Sequence, residues 1–228
     1  RMGIAVQSLG IAQAAHNEGK KYASERVQFG DTIDKLPAVK RILEDNEALV
    51  QGMRALTYRA CEVVDHYDGL SNKLLKETGD ERAVRKNEEV VRLDKLAKLL
   101  TPTAKLFCSE EANFVAYHSL QIFGGSGYTE EYDIAKIYRD ARICTIYEGT
   151  TQLQAVAAIG GIVEGMRENG FLLGHLRTEI AKLADVKTKA DLTADVEQLV
   201  KLVPQYKERA EKEAVSFVMV AAFAGIYT

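Results

Sequence analysis

Proline is the residue that most constrains this chain, because it occurs only three times in 228 residues, at Pro37, Pro102 and Pro204. Proline removes a backbone donor and disrupts helix interiors, so its scarcity leaves room for long uninterrupted helices. Hydrophobic residues make up 46% of the chain, which is enough to bury a sizeable core. The length suits one large domain or two small ones.

Apolar residues recur at helical spacing over most of the sequence. The predicted helices cover residues 4–22, 37–67, 81–123, 134–141 and 151–167, followed by two or three more over 171–183 and 190–227. Pro37 suits the first turn of its helix. Pro102 is expected to kink or break its helix, and Pro204 to interrupt a helix or begin one. Residues 68–80 contain glycine, serine and asparagine and form the best loop candidate.

Glycines and turn residues separate the predicted helices. Gly124, Gly125 and Gly127 end the helical pattern before them, and Asn169-Gly170 makes a turn. No pair of alternating runs flanks a hairpin turn, so no strand pairing is predicted. The fold class is therefore all-α, as an up-down four-helix bundle followed by a helical C-terminal extension.

Composition narrows the function classes. The chain has 30 Lys and Arg residues against 33 Asp and Glu, and this balance disfavours nucleic acid as the main partner. Cys61, Cys108 and Cys144 form no CxxC pair, and the histidines are not at metal spacing, so neither a metal site nor a disulfide framework is predicted. Free thiols fit a reducing compartment, and no apolar run approaches the roughly 18 residues that cross a bilayer.

Three short motifs could carry chemistry, and each has a plain structural alternative. In SERVQFG, Arg26 could grip a phosphate, or it could complement a helix C-terminus that Gly30 caps. In QIFGGSGYTEEY (121–132), the glycines could let a ligand approach the backbone, or they could form a tight turn between helices. In IYEGTTQLQ, Glu148 could be a base in an apolar pocket, or a carboxylate that favours a helix N-terminus.

Together, in this order and on a helical background, these motifs resemble the C-terminal helical domain of the acyl-CoA dehydrogenases. The resemblance runs from Arg1 to about Gly161 and includes the opening RMGIAVQSLGIAQAA and the segment YRDARI. It implies FAD as cofactor and an acyl-CoA as substrate. It also implies a bundle at 1–161, an extension at 162–228, and N-terminal helical and middle β domains outside this chain. The chain alone is therefore expected to have little or no dehydrogenase activity.

The resemblance also implies a role for each residue of the third motif. In that family a glutamate removes a proton from Cα while a hydride leaves Cβ for the flavin N5. Glu148 matches this base, and its backbone N–H matches one half of the oxyanion hole for the thioester oxygen. Tyr147 would line the acyl pocket, Gly149 would leave room beside the substrate, and Arg1 matches an arginine near the thioester end.

The flavin contacts follow from the same match. Thr150 and Gln152 match positions that contact the FAD diphosphate from the same subunit. The positions that match contacts to the FAD of a neighbouring subunit are Arg26, Gln28, Phe29, Gln121, Gly124 and Gly125. A shared cofactor implies a homodimer or homotetramer. By resemblance, the electron acceptor would be an electron-transfer flavoprotein.

The chain also departs from the common pattern of the family. Leu36-Pro37 stand where an aromatic residue or histidine followed by glutamine commonly lies near the flavin. The charged stretch at 68–95 and the extension past Gly161 are typical of larger members, such as those related to methylthiopropanoyl-CoA dehydrogenase. An acyl-CoA oxidase-like relative and a non-catalytic helical assembly module remain as alternatives. The expected compartment is the cytoplasm in a bacterium or the mitochondrial matrix in a eukaryote.

Overall fold

The computed structural model describes residues 1–206, and nearly all of them lie in helices. Within that part the helices are α1 (Met2–Glu25), α2 (Pro37–Thr78), α3 (Glu81–Lys86), α4 (Glu88–Phe123), α5 (Ile134–Ile143), α6 (Thr151–Gly165), α7 (Phe171–Lys182) and α8 (Val186–Tyr206). The all-α prediction is confirmed. The helices predicted at 4–22, 134–141, 151–167 and 171–183 are confirmed to within a few residues at their ends.

One short β-hairpin follows α1, which the sequence did not predict. Strands β1 (Val27–Gln28) and β2 (Asp31–Thr32) pair antiparallel around a two-residue turn, Phe29-Gly30. Both turn residues have left-handed backbones, with φ of 56° and 91°, as a type I′ hairpin turn requires. The interpretation of Gly30 as a helix cap is therefore wrong, because Arg26 caps α1 and Gly30 belongs to the hairpin.

Helix α2 is longer than predicted, because it continues to Thr78 through most of the predicted loop at 68–80. Only residues 79 and 80 separate it from α3. The loop prediction rested on Gly69 and its polar neighbours, which are tolerated on an exposed face. Tyr67 and Leu70 extend the apolar face of the helix and pack against a buried cluster of Val63, Leu93 and Leu96. Tertiary packing here outweighs weak local helix preference.

The predicted helix at 81–123 divides into α3 and α4 at Asn87. The Asn87 side chain accepts hydrogen bonds from the N–H groups of Glu89 and Val90, both at 3.1 Å, and so caps α4. At the other end, Gly124 adopts a left-handed backbone with φ of 58°. This conformation ends α4 where the sequence predicts.

The two later prolines lie inside helices, because α4 runs through Pro102 and α8 runs through Pro204. The predicted break at Pro102 is therefore wrong, while the alternative of a kink there stays a prediction. The predicted interruption or start at Pro204 is also wrong. Pro102 is buried, and packing offsets the loss of one helical hydrogen bond. Helix α8 begins at Val186, and the part of the predicted 190–227 segment beyond Tyr206 lies outside the described residues.

Unit 1 of the chain comprises Arg1–Thr57 and Lys105–Thr151. In it, α1 and α4 both run antiparallel to α2. Along each pair of helices, the residue number on α2 falls as the number on α1 or α4 rises. The side-chain pairs that fix these directions are Gln13–Arg54, His16–Glu47, Asn46–Ser119 and Thr57–Cys108. This is the up-down arrangement that the sequence predicts.

Unit 2 comprises Tyr58–Ala104 and the described residues from Gln152 onward. Its α6–α7 turn is tightly packed: a Cβ at Gly170 would lie 2.2 Å from the Gly165 carbonyl oxygen, and a Cβ at Gly165 would lie 2.7 Å from Leu172 Cβ. Asn169, with φ of 65°, completes the turn, as predicted. Helix α8 then packs on α7.

Candidate active site

Glu148 lies in a loop of residues 144–150 that joins α5 to α6, called here the 144–150 loop. The Thr151 N–H donates to the Thr145 carbonyl at 3.2 Å and closes the loop. Glu148 and Gly149 both have left-handed backbones, with φ of 54° and 94°. This conformation costs a non-glycine residue about 1–2 kcal/mol, so the surrounding structure must hold Glu148 in it.

Helix α4 anchors the C-terminal end of this loop at two points. The Lys105 side chain is 0% exposed, and its Nζ donates to the Gly149 carbonyl at 2.8 Å. The Thr151 hydroxyl donates to the Glu110 carboxylate. The peptide groups that follow Glu148 are therefore fixed from the helix, and not only by contacts within the loop.

The same stretch of α4 has unusual electrostatics. Burial lowers the pKa of the Lys105 ammonium, while Cys144 and the Glu110 carboxylate oppose that shift. Burial, together with the adjacent charge of Glu110, raises the pKa of the Glu111 carboxyl to about 7. A buried cation, a carboxylate that accepts a hydrogen bond and an acid that titrates near neutrality thus follow one another along α4.

Tyr147 and Arg1 lie where α1 begins. The Tyr147 hydroxyl donates to the Gln7 side chain on α1, and burial raises the pKa of Tyr147. Arg1 precedes α1, and its carbonyl accepts from the Ile4 N–H at 3.0 Å. The Arg1 and Glu148 side chains are exposed in this chain, so an apolar enclosure around the Glu148 carboxylate stays a prediction.

Arg26, Gln28 and Phe29 all belong to the hairpin segment and are exposed. Phe29 is 90% exposed, which is unusual for a large apolar side chain. Within residues 1–206, the Arg26 guanidinium and the Gln28 amide have no hydrogen-bond or ion-pair partner. Their donors are thus available to a ligand, and a guanidinium fork suits phosphate oxygens.

Gln121, Gly124 and Gly125 lie at the C-terminal end of α4, where they are exposed. A Cβ at Gly124 or Gly125 would meet no atom within 4 Å, so the backbone there is open to an approaching group. Gly127 has a different role, because a Cβ there would lie 2.9 Å from the Leu120 carbonyl oxygen. The glycine cluster therefore serves both as a packed turn and as an open backbone surface.

Packing brings the hairpin and the end of α4 together and separates both from the 144–150 loop. Ala23, Ile33 and Ile122 form one buried cluster beside these two segments. The loop contacts α1 at Gln7, sixteen residues before Ala23. That spacing corresponds to about 24 Å of helix at 1.5 Å per residue.

The predicted site residues thus form two groups at opposite ends of α1. The base group consists of Arg1, Tyr147, Glu148, Gly149 and Thr150. The hairpin group consists of Arg26, Gln28, Phe29, Gln121, Gly124 and Gly125. Gln152 lies exposed in the first turn of α6 and belongs to unit 2, so it falls in neither group.

Sequence reasoning missed Lys105, Glu110 and Glu111. Lys105 had a readable signal, since it is a lone lysine in the apolar run of α4 around Leu106, Phe107 and Cys108. A lysine in such a run points to a buried partner. Glu110 and Glu111 carry no such signal, because a charged pair on a helix usually marks a solvated face.

Comparison with known proteins identifies the family once this geometry is known. Residues 1–159 match the family model described as "Acyl-CoA dehydrogenase, C-terminal domain". The chain belongs to the acyl-CoA dehydrogenase family. The resemblance inferred from the motifs is thereby confirmed.

Two curated relatives and one solved structure illustrate the similarity. The chain is 33% identical over 164 residues to the caffeyl-CoA reductase-Etf complex subunit CarC of Acetobacterium woodii, covering 72% of this chain and 36% of that protein. It is 36% identical over 179 residues to 3-methylmercaptopropionyl-CoA dehydrogenase of Ruegeria pomeroyi, covering 75% and 28%. The chain thus spans about a third of the length of these relatives.

The structure of Caenorhabditis elegans ACDH-11 in complex with C11-CoA has the same fold as this chain. It matches with a TM-score of 0.71 at 24% identity, covering 100% of this chain and 38% of that one. The all-α fold class is confirmed by this match as well. No helix in the described part is both long and apolar enough to cross a membrane.

Proposed function

We propose that this chain is the part of an FAD-dependent acyl-CoA dehydrogenase that supplies the catalytic base. The reaction is the α,β-dehydrogenation of an acyl-CoA thioester, with Glu148 as the group that removes the Cα proton. The observation that carries the proposal is the strained backbone of Glu148, anchored by a buried lysine, in a chain whose residues 1–159 match the family. Strain of this kind is retained where the surrounding structure requires it and clusters at functional sites.

The residues around Glu148 have complementary roles in this proposal. The Cα proton of a thioester is weakly acidic, so the developing enolate oxygen needs a donor, and the Glu148 N–H is in the right motif to provide it. Gly149 adds no side chain beside the reacting carbons. Tyr147 lines the acyl pocket, with its hydroxyl held by Gln7, and Arg1 lies near the thioester end.

The donor set of the two groups fits FAD. When bound, FAD supplies the acceptor for the hydride from Cβ. Arg26, Gln28 and Gln121 offer a guanidinium and two amides, and the open backbone at Gly124 adds a surface that a nucleotide can approach. Thr150 and Gln152 offer a hydroxyl and an amide, which by the family match would contact the FAD diphosphate from the same subunit. Guanidinium, amide and hydroxyl donors are suited to phosphate oxygens.

The separation of the two groups supports a cofactor shared between subunits. The base group and the hairpin group lie about 24 Å apart along α1, which suits contacts to two different FAD molecules. The proposal therefore includes a homodimer or homotetramer. It also includes the bundle at 1–161 and the extension at 162–228 as separate domains. An electron-transfer flavoprotein is the proposed acceptor, since one relative is named as a subunit of an Etf complex.

The test replaces Glu148 with glutamine in the protein produced from its full gene. The Glu148→Gln variant is expected to retain FAD and to lose about 1,000-fold or more in turnover of an acyl-CoA with a soluble electron acceptor, because general base catalysis contributes about 10²–10⁴-fold. It should also stop washing deuterium from Cα into solvent. Glu168→Gln, at an exposed carboxylate beyond the family match, is the matched control.

The outcomes separate the proposal from its alternatives. Wild-type protein that retains FAD but neither turns over an acyl-CoA nor exchanges its Cα hydrogen would be the assembly module. Turnover that uses molecular oxygen in place of the acceptor would be the oxidase-like relative. Wild-type turnover that survives Glu148→Gln would remove Glu148 from the mechanism.

A further inference from the structure

Lys105 is the residue outside the predicted site whose placement most needs an explanation. Its side chain is 0% exposed and is among the largest fully buried side chains of the described residues. Every residue from Pro102 to Ser109 is buried, so Lys105 lies within the most enclosed stretch of α4. Lysine is almost never fully buried unless it is paired.

The hydrogen bond of Lys105 is made to the 144–150 loop. Its Nζ donates to the Gly149 carbonyl at 2.8 Å. The Glu110 carboxylate, which accepts from Thr151 at the end of the loop, is a negative charge that favours the ammonium. A buried ammonium needs such partners, because an unpaired buried charge is strongly unfavourable.

The Gly149 carbonyl is the peptide oxygen that directly follows the left-handed pair Glu148–Gly149. A hydrogen bond to that oxygen fixes the plane of the Gly149–Thr150 peptide, and with it the ψ angle of Gly149. Without this bond, the loop could relax toward backbone angles that suit glutamate better. The relaxed loop would turn the Glu148 carboxylate and N–H away from their present directions.

We propose that Lys105 is a positioning residue for the reaction, whose buried ammonium holds the Gly149 carbonyl and thereby keeps Glu148 in its left-handed conformation. This proposal rests on the proposed function for its catalytic consequence. Its structural part, that the hydrogen bond holds the 144–150 loop, can be tested without any enzymatic activity. Lys105 itself contacts neither substrate nor cofactor in this assignment.

The first measurement needs no activity. Lys105→Met removes the donor and keeps a long side chain that tolerates burial. Hydrogen exchange of the amides in residues 144–151 is expected to speed up by about 10-fold or more, while exchange in the hairpin, residues 26–32, stays unchanged. Lys105→Gln, whose amide is shorter, replaces the methionine variant if that variant does not fold.

The second measurement uses the same variant in the protein produced from its full gene. Turnover at saturating acyl-CoA is expected to fall about 100-fold, with KM changed less than about 3-fold and FAD content unchanged, because a misplaced base costs rate more than binding. Lys189→Met is the matched control, since Lys189 Nζ also donates to a backbone carbonyl, that of Ala181 at 2.9 Å, but in unit 2.

Two results would overturn the proposal. One is wild-type exchange in residues 144–151 after Lys105 is replaced. The other is a uniform increase at both 144–151 and 26–32, which would make Lys105 a general core residue. If the wild-type protein turns over no acyl-CoA, the proposed function fails, but the exchange comparison still decides whether Lys105 holds the loop.

Discussion

Two turns in unit 1 have almost the same φ angles but are held by different contacts. Phe29-Gly30 has φ of 56° and 91°, and Glu148-Gly149 has φ of 54° and 94°. In each, a large non-glycine residue adopts a left-handed conformation before a glycine that does so easily. The first turn closes a hairpin by the pairing of Gln28 with Asp31. The second turn closes no hairpin and is anchored to α4.

The difference shows how the same local strain can have two sources. Hairpin geometry demands positive φ at both turn residues, so Phe29 is explained by its immediate neighbours in sequence. Glu148 belongs to no hairpin, and a lysine distant in sequence adds a constraint through the Gly149 carbonyl. We therefore expect the two turns to respond differently when the glycine or the non-glycine residue is changed.

Replacing the glycine should have the largest effect at the second turn. Gly149→Ala strains the backbone by about 1–2 kcal/mol and displaces Glu148, so turnover is expected to fall about 100-fold. Gly30→Ala introduces the same local strain in the hairpin. It is expected to weaken the retention of FAD and to leave the turnover of the FAD-bound enzyme unchanged. Steady-state kinetics with measured flavin content tests both. Equal loss of turnover in the two variants would contradict the contrast.

Raising the pH should lower the stability of the protein through Glu111 on α4, the helix that also anchors the second turn. The pKa of Glu111 rises from an ordinary 4.5 to about 7 on folding, so its contribution to stability is present below about pH 4.5 and is lost as the pH rises to about 7. The loss is on the order of 3 kcal/mol. Thermal unfolding between pH 5 and 8 checks it, and Glu111→Gln is expected to flatten that slope. A slope that persists unchanged in Glu111→Gln would assign it to another group.

Changing the non-glycine residue of the hairpin should have the smallest effect, and in the favourable direction. Phe29→Asn places Asn-Gly in a type I′ turn, the preferred pair there, and loses little packing because Phe29 is 90% exposed. Stability is expected to rise by about 0.5 kcal/mol, measured by denaturant unfolding. A decrease would show that Phe29 contributes contacts that its exposure does not reveal.

The helices were predictable because their signal is local and periodic, as at α1, α5 and α7. The missed elements have two kinds of cause. Residues 68–78 continue α2 because Tyr67 and Leu70 have a buried cluster to pack against. The hairpin was invisible because each strand has only two residues, too few to show alternation.

The candidate site was predictable only as far as its motifs. Glu148 and its neighbours were found by resemblance, but the left-handed backbone of a glutamate has no sequence signature. The anchoring of Gly149 by Lys105 depends on two residues that are far apart in sequence. Such a contact is set by the packing of α4 against the loop, which no local pattern encodes.

The α6–α7 turn has a consequence for recognising the extension in other chains. No side chain fits at Gly170, and none fits at Gly165 without displacing Leu172. Both glycines lie beyond residue 159, where the family model ends. The spaced pair, with Asn169 between them, therefore offers a short search pattern for extended members of the family that a model of the bundle alone would not distinguish.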